Sequence, residues 1–119
     1  MVKLPPGLAA AGEPYLPDLQ RLYWIDTQIL SPDDPEPRRP GVVITVPTTV
    51  YGTVNVVTRS TTDGFGVPHD RQPELGLNKA GHFSRLVPVQ CQLWTPEHVK
   101  SSELLDEVTY SWVLLEFQK

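Results

Sequence analysis

Gly41-Val42-Val43-Ile44-Thr45-Val46, closed by Pro47, is a continuous apolar and β-branched run, short for a helix and suited to a strand buried on both faces. It is preceded by Ser31-Pro32-Asp33-Asp34-Pro35-Glu36-Pro37-Arg38-Arg39-Pro40, whose prolines permit neither helix nor ladder pairing and mark a loop. After the run, Tyr51-Gly52 turns the chain into Thr53–Arg59, a second strand. There Val54, Val56 and Thr58 share one face, and Asn55, Val57 and Arg59 the other. Two strands joined by so short a connection pair antiparallel, which brings the start of the first beside the end of the second.

Working outward, Leu22-Tyr23-Trp24-Ile25-Asp26 reads as a first strand and residues 1–20 as a Pro/Ala-rich arm with little core to offer. Asp63-Gly64 opens a long polar, Gly- and Pro-rich stretch that runs to Gly81 and holds short strands whose places the sequence does not mark. Phe83–Trp94 returns to strand character, with Pro88 demanding a bulge or an edge position. Thr95-Pro96-Glu97 predicts one short helical turn. The C-terminal segment predicts a helix over 102–117, capped by Ser101 or Ser102, with Leu104, Val108, Trp112 and Leu115 as its buried face. Several strands followed by one helix, with no helical crossover between strands, predict a mainly β, α+β fold: a small antiparallel barrel capped by a C-terminal helix. The 119 residues suit one domain, expected over 21–119.

Composition narrows the chemistry. A single cysteine, Cys91, excludes an internal disulfide and a Cys-cluster zinc site, and its strand context marks it as a small buried hydrophobe. No apolar run approaches the roughly 18 residues of a membrane span, and Pro5, Pro6 and Gly7 interrupt any signal-peptide pattern, so a cytoplasmic protein is expected. Phosphate-cradling glycine motifs are absent, and His69, His82 and His98 lie too far apart to form a metal-ligand motif. No metal and no cofactor is expected. The net charge is −4, yet residues 38–85 set Arg38, Arg39, Arg59, Arg71, Lys79 and Arg85 against Asp63, Asp70 and Glu74, a net +3. A basic centre inside an acidic shell presents a local phosphate-attracting face. Arg39, entering the first long strand, and Ser60-Thr61-Thr62, leaving the second, are the groups that antiparallel pairing brings together. A guanidinium fork beside a hydroxyl is a device for phosphate. With RNA, the 2′-hydroxyl supplies an internal nucleophile, so orientation, charge neutralisation and proton management suffice.

Taken in order, these elements resemble the MazF/PemK type of toxin from type II toxin–antitoxin systems. Tyr23-Trp24-Ile25-Asp26 looks like that family's first strand, Arg39-Pro40-Gly41-Val42-Val43-Ile44 like its Arg-Pro and apolar strand, and Val54–Thr61 like the strand that ends in its Thr/Ser element. Gly76-Leu77, the strand 83–93 and the final helix complete a likeness over roughly residues 21–117. The chain departs from the pattern at Thr58, where Pro is common, at Arg59, where a small or apolar residue is usual, and at Pro88. The resemblance implies a small SH3-like barrel that dimerises, cleaves single-stranded RNA sequence-selectively without metal, and is blocked by a cognate antitoxin. By position, Arg39 matches the catalytic Arg, for transition-state stabilisation and proton transfer. Ser60, with Thr61 as its one-residue alternative, matches the catalytic Thr/Ser. Arg38, Arg59 and Arg85 become candidates for contacts to the RNA backbone. The alternative is an inactive member, or a protein-binding barrel of the related CcdB kind, a gyrase inhibitor or interaction module acting through its C-terminal helix.

Overall fold

The computed structural model describes residues 13–31 and 33–118; residues 1–12 of the expected arm lie outside them. Six strands form one curled antiparallel sheet: β1 (Arg21–Asp26), β2 (Arg38–Thr45), β3 (Thr53–Ser60), β4 (Val67–His69), β5 (Gly81–Gln90) and β6 (Val99–Leu104), in the spatial order β4-β5-β3-β2-β1-β6. One helix, α1 (Glu107–Phe117), follows. This is the expected mainly β half-barrel with a C-terminal helix.

Curling divides the interior into two apolar clusters, and the central run feeds both. Val42, Ile44 and Val57 join Leu22, Phe83, Leu105 and Val113 on one face. Val43, Val54 and Val56 join Tyr23, Ile25, Val89, Cys91 and Trp94 on the other. Alternation along β2 thus serves two cores, so the run reads as continuously apolar. Cys91 is buried as expected, although it opens a 3-10 turn (Cys91–Leu93) after β5 instead of continuing the expected strand. Pro88 faces Asn55 on β3, while β4 covers only Gly81–Phe83 of β5, so the proline stands on an open edge where no ladder donor is required. The described part of the arm contributes more than expected: Pro17 is buried, and Tyr15 donates its N–H to the Trp94 carbonyl at 3.1 Å.

The C-terminal segment differs from its reading. Residues 99–104 form β6 against β1, and the helix begins five residues later than expected. Asp106, in place of Ser101 or Ser102, caps it by accepting the Thr109 N–H at 2.9 Å. Val113 is its buried residue, flanked by Tyr110, Leu114 and Phe117. The expected core face points outward: Val108, Trp112 and Leu115 are 69%, 59% and 65% exposed, and Leu104 lies exposed on β6. A 4-4-3 spacing marks an apolar stripe; it does not say which of two apolar stripes faces the sheet.

Candidate active site

The register that pairs Gly41 with Thr58 sets Arg39 opposite Ser60 where the β2–β3 ladder ends, and both side chains line one cleft of about 320 Å³. Alternation decides which neighbours join them. Arg38 points away from Arg39 and donates to the carbonyls of Trp24, Glu97 and His98 at 3.1–3.4 Å. Arg59 points away from Ser60 and into the protein, where it is 3% exposed. Its Nε donates to His69 Nδ1 at 3.0 Å, and its Nη2 faces the carbonyls of His69, Asp70 and Lys79 at 2.7–3.2 Å. Expected among the RNA contacts, Arg59 instead ties three segments together. Burial pulls its pKa below the ordinary arginine value and, together with the Arg59 charge, holds the His69 imidazole below its usual pKa.

Ser60 closes β3 with a turn that it organises itself. Its Oγ accepts the N–H groups of Thr62 and Asp63, both at 3.1 Å, and lies 3.1 Å from Thr62 Oγ1. Gly81 is required beside this turn, because a Cβ there would run into the Ser60 carbonyl. Thr61, the alternative hydroxyl, is exposed and lines a neighbouring hollow of about 280 Å³ with Trp24, Arg38, Asn78 and Lys79. Arg39 and Thr62 stand on the rim between the two depressions.

A bulge brings in a second guanidinium. Thr58 faces Arg85 and Arg59 faces Phe83, which leaves Ser84 as the extra residue on β5. Two residues against one put Ser84 and Arg85 on the same side, and both reach Asp63: Ser84 Oγ donates to Oδ2 at 2.8 Å and Arg85 Nε at 3.3 Å. Arg85 is exposed, with its guanidinium 6.0 Å from the Phe65 ring centroid. Arg39 has its own carboxylate. Its Nε and Nη2 donate to the two oxygens of Asp34, whose Oδ1 also accepts the Glu36 N–H at 3.0 Å. The Arg39 guanidinium holds the Asp34 carboxyl below its ordinary pKa, and Asp34 in turn raises that of Arg39. The Ser84 hydroxyl, then Arg85 and Arg39, do the same for Asp63.

Arg39 and Arg85 therefore share the cleft with Asp33, Asp34 and Asp63. The basic centre suggested by the charge count is not basic at this point: each guanidinium is held by a carboxylate and Asp33 adds a third negative charge. In the sequence Asp34 reads only as a residue of the Pro-rich loop, and Asp63 only as a charge at the Asp63-Gly64 turn; the five-residue spacing from Asp34 to Arg39 is the signal that could have found the first. Among the described residues no cluster of three His, Cys, Asp or Glu is placed to hold a metal, and no helix is long and apolar enough to cross a membrane.

No family model and no curated protein matches the sequence. The fold does have solved counterparts. The chain is similar to the crystal structure of MazE-MazF (Form-II) from Deinococcus radiodurans, with a TM-score of 0.59 and 16% identity over 86% of this chain and 91% of that one. It is similar also to Form-III of the same complex, with a TM-score of 0.57 and 15% identity over 86% and 92%. The chain has a MazF-type fold.

Proposed function

We propose that this chain is the toxin of a type II toxin–antitoxin pair, a cytoplasmic, sequence-selective endoribonuclease that cuts single-stranded RNA without a metal. The observation that carries the reading is the placement of Arg39 and Ser60 in one cleft at the end of β2 and β3. Arg39 stabilises the charge that develops on the pentacoordinate phosphorane, using the N–H groups that Asp34 leaves free. Ser60 Oγ, fixed by two backbone N–H groups, orients the scissile phosphate. Arg85 contacts the RNA backbone from the exposed rim, and the adjoining hollow, with Arg38 and Thr61, takes the flanking nucleotide. Attack by the 2′-hydroxyl gives a 2′,3′-cyclic phosphate and a 5′-hydroxyl end. The solved neighbours are MazE-MazF complexes, which supports a cognate antitoxin for this chain as well; the homodimer rests on the sequence resemblance alone.

The test is cleavage of single-stranded RNA in EDTA. Cleavage that survives chelation and is lost in Arg39→Ala supports the reading; a folded wild-type protein that cuts no RNA refutes it.

One observation favours a second reading. Trp112, expected in the core, stands exposed on α1 with Val108 and Leu115, as a barrel that poisons a protein target through its C-terminal helix would need. Toxicity lost in Trp112→Ala and kept in Arg39→Ala would establish that reading.

A further inference from the structure

Attack by a 2′-hydroxyl needs a group to take its proton, and the cleft narrows the choice. Arg39 is unsuited: its bond to Asp34 favours the protonated guanidinium. Ser60 Oγ already accepts two N–H groups. No histidine lines the cleft. Of its three carboxylates, Asp34 has both oxygens engaged by Arg39, with the Glu36 N–H added. Asp33 is exposed, and no hydrogen bond among the described residues holds its carboxylate in place. Asp63 alone is both fixed and available. Ser84 and Arg85 anchor its Oδ2, its backbone N–H is bonded to Ser60, and its side chain is only 18% exposed. Its Oδ1 carries no hydrogen bond among the described residues.

We infer that Asp63 is the general base of the reaction, a role distinct from the charge stabilisation given to Arg39. The inference rests on the ribonuclease reading above. In the step, the 2′-hydroxyl proton passes to Asp63 Oδ1 and the 2′-oxygen forms its bond to phosphorus. The bond from phosphorus to the 5′-oxygen breaks with its electron pair on that oxygen, which takes a proton from solvent water. Asp63 then releases its proton to solvent. The β5 bulge acquires a purpose here: by turning Ser84 and Arg85 to one side, it keeps Asp63 ionised and aimed.

The experiment compares Asp63→Asn with wild type on an oligoribonucleotide in EDTA, using thermal unfolding to show that the variant folds. A general base contributes about 10²- to 10⁴-fold. The expected result is a kcat loss in that range, with undiminished affinity for the same oligonucleotide carrying a 2′-deoxy group at the scissile position. Ser84→Ala, which leaves the carboxylate in place, removes the largest influence lowering the Asp63 pKa. It should move the acid limb of the pH–rate profile upward. A substrate with a bridging 5′-sulfur leaving group should leave Asp63→Asn as slow, relative to wild type, as the ordinary one. Wild-type kcat in Asp63→Asn, or an acid limb that Ser84→Ala does not move, overturns the assignment. So does rescue by the 5′-thio substrate, which would give Asp63 the leaving group instead. If wild type cuts and Arg39→Ala does not, such a failure is confined to Asp63; an inert wild type removes the ribonuclease reading itself.

Discussion

Replacing Arg59 by Met separates a structural arginine from an RNA-binding one. The substitution removes a guanidinium that is bonded to His69 Nδ1 and faces three carbonyls. Asp70 and Lys79 are exposed, so their carbonyls recover water. His69 is buried, and its carbonyl and Nδ1 are the acceptors that stay deprived. At about 1–3 kcal/mol for each buried unsatisfied group, partly offset by relief from holding a buried cation, the net loss should be about 3 kcal/mol. For a domain of this size that lowers Tm by about 10–15 °C. Thermal unfolding followed by circular dichroism measures it. In parallel, binding of a non-cleavable oligonucleotide is titrated from 50 to 200 mM salt below the variant's Tm. An arginine that neutralises one phosphate of a single strand adds about 0.7 to the slope of log K against log salt, so its removal reduces the slope by that amount, whereas a structural arginine leaves it alone. An Arg59→Met protein that melts within about 2 °C of wild type, or one with the slope so reduced, would refute the reasoning.

Asp34→Asn should tighten binding of a non-cleavable RNA by a few-fold, since a negative charge leaves the cleft, while kcat falls at least tenfold because Arg39 loses its fixed orientation; equal losses in both would place Asp34 in the fold alone. Stability should fall with acid through His69. Its folded pKa lies below the ordinary value, so below about pH 6.5 the unfolded chain binds a proton that the folded one does not. Denaturant midpoints measured from pH 7 to 5.5 should decline in wild type and flatten in His69→Asn. Trp112→Glu should convert a homodimer to a monomer in light scattering with Tm within about 3 °C of wild type; an unchanged mass would remove this helix face from the dimer.

Strands β1, β2, β3 and β5 were legible because burial writes itself into residue type. Gly41–Val46 serves two cores and is apolar throughout; Thr53–Ser60 shows its alternation; Pro88 announces an edge. The error at the C-terminus has a physical cause. Leu104 is an apolar residue on an edge strand, and it continued a helical spacing by coincidence; Leu105 is the buried one. The Asp106 cap, in a sequence where Ser101, Ser102 and Asp106 are all capping residues, could be chosen only by knowing that β1 takes 99–104 as a partner. That choice depends on a pairing between distant parts of the chain, which local pattern does not encode.

At the site, two-residue periodicity did not reach Arg38 and Arg39, because their prolines read as a loop, whereas both residues pair with β1 opposite Asp26 and Ile25. Once β2 and β3 are strands, Arg38 cannot share a face with Arg39, nor Arg59 with Ser60, and this alone removes two of the three expected backbone contacts from the cleft. What periodicity could not supply is the β5 bulge, since it is the break in alternation that makes Ser84 and Arg85 neighbours of Asp63. The consequence is a cleft that works differently from the basic groove its charge count suggested. Two guanidiniums already paired with carboxylates attract a distant phosphate weakly, and their value lies in needing no reorganisation when charge builds on phosphorus. Capture of the strand then falls to cations outside the cleft. Lys79 is exposed on the adjoining hollow, which meets the cleft at Arg39. Affinity and turnover should accordingly divide along that rim, with Lys79→Ala weakening RNA binding and sparing kcat, and substitutions inside the cleft doing the reverse.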